Sequence, residues 1–79
     1  MKLYGGIDLH SNNSVVALTD ETDRAVYRKR LPNEVATVLD VLAPYQDAIT
    51  GLVVESTYNW YWLVDALMEA GYRVHLANT

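Results

Sequence analysis

Cysteine is absent from this chain of 79 residues, and basic side chains are few. Without cysteine there are no disulfides, no thiolate metal site and no cysteine nucleophile, which suits a reducing, cytoplasmic location. Six lysines and arginines against ten acids leave a formal charge of −4. Nonspecific binding to nucleic acid depends on basic side chains that neutralise phosphates. The charge balance therefore argues against a stand-alone phosphate-binding module.

Long apolar runs, internal repeats and low-complexity tracts are also missing. Because no apolar run is long enough for a signal peptide or a membrane span, we expect neither. A domain of this length buries only about 60–65% of its unfolded surface. The apolar share of 51% and the charged share of 20% are nevertheless those of a globular chain. The sequence therefore predicts one small domain over residues 1–79.

The hydrophobic pattern predicts five strands. Alternating or continuous apolar residues place them over 3–9, 14–19, 25–31, 51–55 and 72–76. The third segment carries charge on both faces, which suits a solvated edge strand. The fourth contains a continuous β-branched run, which is typical of a strand buried on both faces.

Two segments between these strands have the apolar spacing of helices. The first stripe is Val35, Val38, Leu39 and Leu42, and the second is Trp60, Leu63, Val64 and Leu67. We expect Asn33 to be the N-cap of the first helix and Pro44 to end it. Ser56 or Thr57 is the expected N-cap of the second, and Gly71 its C-terminal stop.

The resulting order is β-β-β-α-β-α-β. A three-stranded meander followed by two right-handed crossovers places the first strand near the centre of a mixed sheet. We expect the spatial order 3-2-1-4-5, with the first, fourth and fifth strands parallel. This α/β arrangement resembles the ribonuclease H-like fold.

Two of the acids stand at unusual positions. Asp8 interrupts an apolar strand, and Glu55 ends another. If these strands are parallel neighbours, both carboxylates reach the same edge, where their mutual repulsion favours a bound cation. Oxygen ligands favour Mg²⁺ or Mn²⁺, and a pair of such ions promotes phosphodiester cleavage or strand transfer. The alternative is that Asp8 caps a turn and Glu55 lies at a helix N-terminus, where negative charge is stabilising.

Residues close to Asp8 bear on the same choice. Glycine weakens a strand, so the pair Gly5-Gly6 should have a reason, such as the close approach of another backbone. Gly6 shares the face of Asp8, which would leave room beside the carboxylate. A bulge, or simple tolerance of glycine, would also explain the pair. His10 follows two residues after Asp8 and could contact a phosphate or a metal, or merely be exposed to solvent.

Two stretches resemble the DEDD-type insertion-sequence transposases. They are Tyr4-Gly5-Gly6-Ile7-Asp8-Leu9-His10 with Val15-Val16-Ala17, and Val53-Val54-Glu55-Ser56-Thr57 with a later strand leading to Asn78. The resemblance implies a RuvC-like domain in which Asp8 and Glu55 are catalytic ligands of Mg²⁺ or Mn²⁺. It also implies DNA as the substrate and, for some members, a guide RNA. Tyr58 stands where many members have glycine.

In that family two further catalytic aspartates and a domain with a serine nucleophile come later in the chain. The resemblance therefore implies that residues 1–79 are a partial, truncated RuvC-like catalytic domain, silent without the missing part. An uncovered apolar sheet face would then favour a homo-oligomer.

Two other function classes remain open. An actin-like ATPase or sugar kinase shares the strand order, and Asn13-Ser14-Val15 is similar to its phosphate turn. Such proteins favour glycine where His10 stands, because backbone amides must reach the phosphate. The third candidate is a non-catalytic α/β interaction module whose carboxylates only cap helices.

Two surface features have open interpretations. Half of the eight aromatic residues lie within 58–62, and Tyr58 with Trp62 would form a docking or self-association surface unless a loop partly buries them. Arg28 and Arg30, with Lys29 between them, would either contact a nucleic-acid backbone or keep an edge strand soluble.

Overall fold

A computed structural model describes residues 2–56 and 59–77 as one α/β unit. Its strands and α-helices are β1 (Leu3–Leu9), β2 (Asn13–Thr19), β3 (Ala25–Pro32), α1 (Val35–Leu42), β4 (Ile49–Glu55), α2 (Tyr61–Glu69) and β5 (Val74–Ala77). The five strands form one sheet in the order β3-β2-β1-β4-β5. β1 is antiparallel to β2 and parallel to β4, and β4 is parallel to β5. The predicted fold class and strand order are confirmed.

One face of the sheet packs against both helices, and the other is open in the described part of the chain. In β1 the odd-numbered residues from Leu3 to Leu9 are buried, while Tyr4 and Asp8 are exposed. The buried side chains of the strands and of both helices form a single core. The expectation that β4 is buried on both faces is wrong, because Val53 is 38% exposed on the open face.

Gly5 of β1 pairs with Leu52 of β4 and lies on the core side of the sheet. A Cβ atom at this position would overlap Leu52 Cδ2 and lie 3.0 Å from Leu18 Cδ2. Gly6, the next residue, points to the opposite face, where a Cβ would meet no atom within 4 Å. Packing of the core therefore explains why residue 5 is glycine, but it does not explain the glycine at position 6.

We expected Asn33 to be the N-cap of α1, and this is wrong, because the N-cap is Glu34. The Asn33 side chain instead accepts a hydrogen bond from the buried Ser14 hydroxyl and donates one to the His10 carbonyl, at 2.8 Å. It thereby connects the start of α1 to the β1–β2 turn. A buried hydroxyl needs a partner, and this need takes precedence over capping here.

The N-cap predicted for α2, Ser56 or Thr57, is also wrong. The helix begins at Tyr61 with Trp60 as N-cap, whereas Ser56 is buried just after β4 and its backbone N–H donates to the Ala77 carbonyl at 3.3 Å. Thr57, Tyr58 and Asn78 lie outside the described residues.

The aromatic cluster is only partly a surface. Trp62 is half-buried against the core, and its Nε1 donates to the Asn59 carbonyl at 3.2 Å. Partial burial is therefore confirmed for Trp62, in place of an exposed docking side chain. Tyr61 is the exposed aromatic, at 62%, with its ring 4.1 Å from that of Trp60.

Gly71 ends α2 in a Schellman motif. Its N–H donates to the Met68 carbonyl, and the Tyr72 N–H donates to the Leu67 carbonyl, both at 3.0 Å. This pattern requires a left-handed residue after the helix, and Gly71 has a φ of +99°. The predicted C-terminal stop is confirmed.

We expect Gly71→Ala to lower the free energy of unfolding by about 1–2 kcal/mol, because a Cβ disfavours this backbone region. A domain of this size would then melt roughly 5–15 °C lower, measurable by circular dichroism. Gly51→Ala is the matched control, since its Cβ would meet only Arg73 O at 3.8 Å. Equal melting temperatures for the two variants would contradict this explanation.

The β2–β3 turn is held by one carboxylate. Asp20 accepts hydrogen bonds from the Thr22 hydroxyl at 2.8 Å, and from the N–H groups of Thr22 and Arg24 at 2.9 and 3.0 Å. These bonds stabilise the ionised form and lower the pKa of Asp20. The turn fixes the start of β3 beside β2.

No helix in 2–56 or 59–77 has the length and apolar character needed to cross a membrane.

Candidate functional site

The register of the sheet makes Asp8 and Glu55 direct neighbours. Asp8 on β1 pairs with Glu55 on β4, at the carboxyl ends of two parallel strands. Adjacent strands are about 4.8 Å apart, and paired residues point to the same face. Both residues are exposed on the open face. The proximity inferred from the sequence is therefore present, while the role of the two acids as ligands stays a prediction.

His10 completes a group of three polar side chains at this edge. Its Nε2 lies 3.3 Å from Asp8 Oδ2, with the two side chains 50% and 61% exposed. The position of His10 follows from the β1–β2 turn, where its N–H donates to the Asn13 carbonyl at 2.8 Å. Asn33 binds the His10 carbonyl as well. These two contacts fix the backbone of His10, from which the imidazole reaches Asp8.

A concavity of about 320 Å³ contains these groups. It is lined by Gly6, Ile7, Asp8, His10, Val15, Ala17, Arg28, Arg30 and Glu55. Small residues from β1 and β2 form its floor, and arginines from β3 form the wall opposite the acids. The sequence left open whether Arg28 and Arg30 contact a nucleic-acid backbone or only keep an edge strand soluble. Their even spacing, combined with the β2–β3 register, is the pattern that places them in this concavity.

The donor set fits a hard divalent cation. Mg²⁺ is usually bound by one or two carboxylates, with water and substrate phosphates as the remaining ligands. Asp8 and Glu55 supply two carboxylates at one point of the sheet. Among the described residues, no group of three or more histidine, cysteine or acidic side chains is arranged to hold a metal. Two protein carboxylates are thus the ligands that this part of the chain offers.

Comparison with known proteins identifies the fold. No family model and no curated protein sequence matches this chain. Its structure is similar to T. thermophilus RuvC in complex with a Holliday junction substrate, with a TM-score of 0.77 and 15% identity over 99% of this chain. The large terminase of a thermophilic bacteriophage has a TM-score of 0.66 at 15% identity, again over 99% of this chain.

A third similar structure is the Ppx/GppA phosphatase of Aquifex aeolicus, with a TM-score of 0.55 and 9% identity over 99% of this chain. The chain spans 65%, 23% and 36% of the RuvC, terminase and phosphatase chains. At these identities the likeness is one of fold. The chain has the mixed five-stranded ribonuclease H-like fold that RuvC also has.

Proposed function

We propose that this chain is part of a metal-dependent DNA nuclease, and more narrowly of a DEDD-type transposase that cleaves and exchanges DNA strands. The observation that carries the proposal is the Asp8–Glu55 pair, in register on the two central parallel strands and exposed on the open face. The RuvC and terminase neighbours support a nuclease. The resemblance of both acid-bearing stretches to the transposase family supports the narrower assignment.

In this proposal Asp8 and Glu55 hold Mg²⁺ or Mn²⁺. When bound, such a cation supplies Lewis-acid polarisation of a phosphate and a more acidic water. The chain itself provides two carboxylates on neighbouring hydrogen-bonded strands, so that the register fixes the positions of their backbones. His10 contacts Asp8 Oδ2 at 3.3 Å and thereby limits the orientations of that carboxylate. Gly6, with open space above its Cα, leaves the sheet face accessible to a DNA strand.

The proposal is tested by metal titration of the full-length protein on a labelled four-way DNA junction. We expect no cleavage or strand exchange in EDTA, and activity that rises and saturates with Mg²⁺ or Mn²⁺, because the two carboxylates depend on a cation. A linear duplex of the same sequence is the control substrate. Undiminished activity in EDTA would contradict the proposal.

A guide RNA and a homo-oligomer remain predictions of the family resemblance.

A phosphate-handling enzyme is the second candidate, favoured by the likeness to the Aquifex phosphatase. One contact weakens it. Ser14, the centre of the phosphate turn that this class would need, is fully buried and its hydroxyl is bonded to Asn33. A rise in the melting temperature of the protein on addition of ATP and Mg²⁺ would support a phosphate-handling enzyme.

A further inference from the structure

On the open face of the sheet, two arginine side chains lie in the same cross-strand rows as residues of the acid site. Arg30 pairs with Val15, Val15 with Asp8, and Asp8 with Glu55, so that one cross-strand row runs from β3 to β4. The next row contains Arg28, Ala17, Gly6 and Val53. Within these two rows the residues between the arginines and β1 are Val15 and Ala17, neither larger than valine. The floor of the concavity between the arginines and the acids is therefore formed by small side chains.

No acidic side chain in 2–56 or 59–77 forms an ion pair with either guanidinium group. Among the described residues the one ion-pair contact is that of His10 with Asp8. Arg30 Nη1 donates to Asn13 Oδ1 at 2.7 Å, which orients its side chain toward the β1–β2 turn. The Arg28 side chain makes no hydrogen bond with any other part of the chain that the structure describes. Since a guanidinium has five N–H donors, both arginines retain donors for a ligand.

We propose that Arg28 and Arg30 bind the phosphate backbone of the DNA strand whose scissile phosphate lies at Asp8 and Glu55. This inference rests on the proposed function and adds to it a binding path across β3, β2 and β1. β3 lies two strand spacings from β1, or about 10 Å. The arginines would therefore contact phosphates beside the scissile one rather than the scissile phosphate itself.

The identity and placement of these residues favour phosphate binding over solubility. Arginine presents a planar fork of donors that matches two phosphate oxygens, whereas lysine provides a point charge. Both arginines line the concavity of the acids, while Lys29 pairs with buried Val16 and thus belongs to the opposite face. A strand that needed charge only for solubility would have no reason to place both arginines on the same face as the acids. Lys29 also provides a matched control.

The experiment measures DNA affinity as a function of salt for the full-length protein, its Arg28→Gln/Arg30→Gln variant and its Lys29→Gln variant. Binding to a labelled duplex is followed between about 50 and 200 mM NaCl in EDTA, so that cleavage does not interfere. Each lost phosphate contact lowers the slope of log affinity against log salt by about 0.9. For the double arginine variant we expect the loss of affinity across this range to be about tenfold smaller. Lys29→Gln should keep the wild-type slope.

Each outcome decides the inference. An unchanged slope in the double arginine variant, an equal decrease in Lys29→Gln, or a decrease seen only with an RNA of the same length would overturn it. Arg28→Lys/Arg30→Lys should keep the slope but bind more weakly, because charge remains while the forked geometry is lost. Cleavage by Asp8→Asn is measured in parallel with Mg²⁺. If Asp8→Asn cleaves DNA normally while the double arginine variant has a reduced salt slope, the proposed nuclease site is refuted. The contact of the arginines with the DNA backbone is then still supported.

Discussion

Replacing Asp8 with asparagine should lower metal-dependent DNA cleavage by about 10²–10³-fold, because a lost metal ligand removes several kcal/mol of transition-state stabilisation. The substitution keeps the size of the side chain and removes its charge. Because the Asp8 side chain is 61% exposed, we expect the substitution to have little effect on folding. Activity should therefore fall while the melting temperature stays near the wild-type value. Single-turnover cleavage of a labelled junction in the full-length protein measures the first, and circular dichroism the second.

Glu55→Gln should have an effect of similar size, since Asp8 and Glu55 act as one pair across the β1–β4 register. Asp40→Asn is the matched control. Asp40 is an exposed acid on α1, outside the concavity, and its replacement should leave cleavage unchanged. Full activity in either site variant would refute the assignment of that residue as a ligand. Equal losses in all three variants would show an effect of overall charge.

Gly5→Ala should destabilise the domain by about 1–3 kcal/mol, the cost of overfilling a packed core. The new methyl group would overlap Leu52 Cδ2, and Leu52 is fully buried. A chain of 79 residues has about 4–12 kcal/mol of total stability, so this loss is a large fraction of it. Urea denaturation followed by circular dichroism gives the free energy of unfolding.

Gly6→Ala is the control with the same change at the next residue. Its methyl group meets no atom within 4 Å, and alanine in a strand is favoured over glycine by about 0.5–1 kcal/mol. We therefore expect stability equal to or above that of the wild type. In the Gly5→Ala background, Leu52→Val should restore part of the loss, because the shorter side chain removes the overlapping methyl. If Gly5→Ala unfolds at the same urea concentration as wild type, the overlap is relieved in another way.

The sequence was sufficient for the sheet and for the position of its two central acids. Alternation in β1 and the helical stripes of α1 and α2 depend on burial of one face, which local pattern reports directly. The N-caps of the two helices were mispredicted, and Asn33 shows why: a capping residue also has tertiary uses. Asn33 is engaged by Ser14 and His10, neither of which is near it in sequence. No local rule contains that competition.

The arginines illustrate the second limit. Arg28 and Arg30 are two strands away from Asp8, and only the combined registers of β1, β2 and β3 bring them into one concavity. A charged edge strand gives the same local pattern whether it binds a ligand or only repels other strands. The exposure of Val53 was missed for a similar reason, because β-branched runs occur on open as well as covered faces.

The pleat of β1 assigns alternate residues to two separate tasks. Leu3, Gly5 and Ile7 hold the domain together, whereas Gly6 and Asp8 lie on the opposite, open face. A substitution at an even position therefore changes the chemistry without entering the core, so ligands and specificity can be redesigned there independently of folding. Loss or gain of one residue within this strand has the opposite consequence. It would exchange the two sets, drive a carboxylate into the apolar layer and expose the core in a single step.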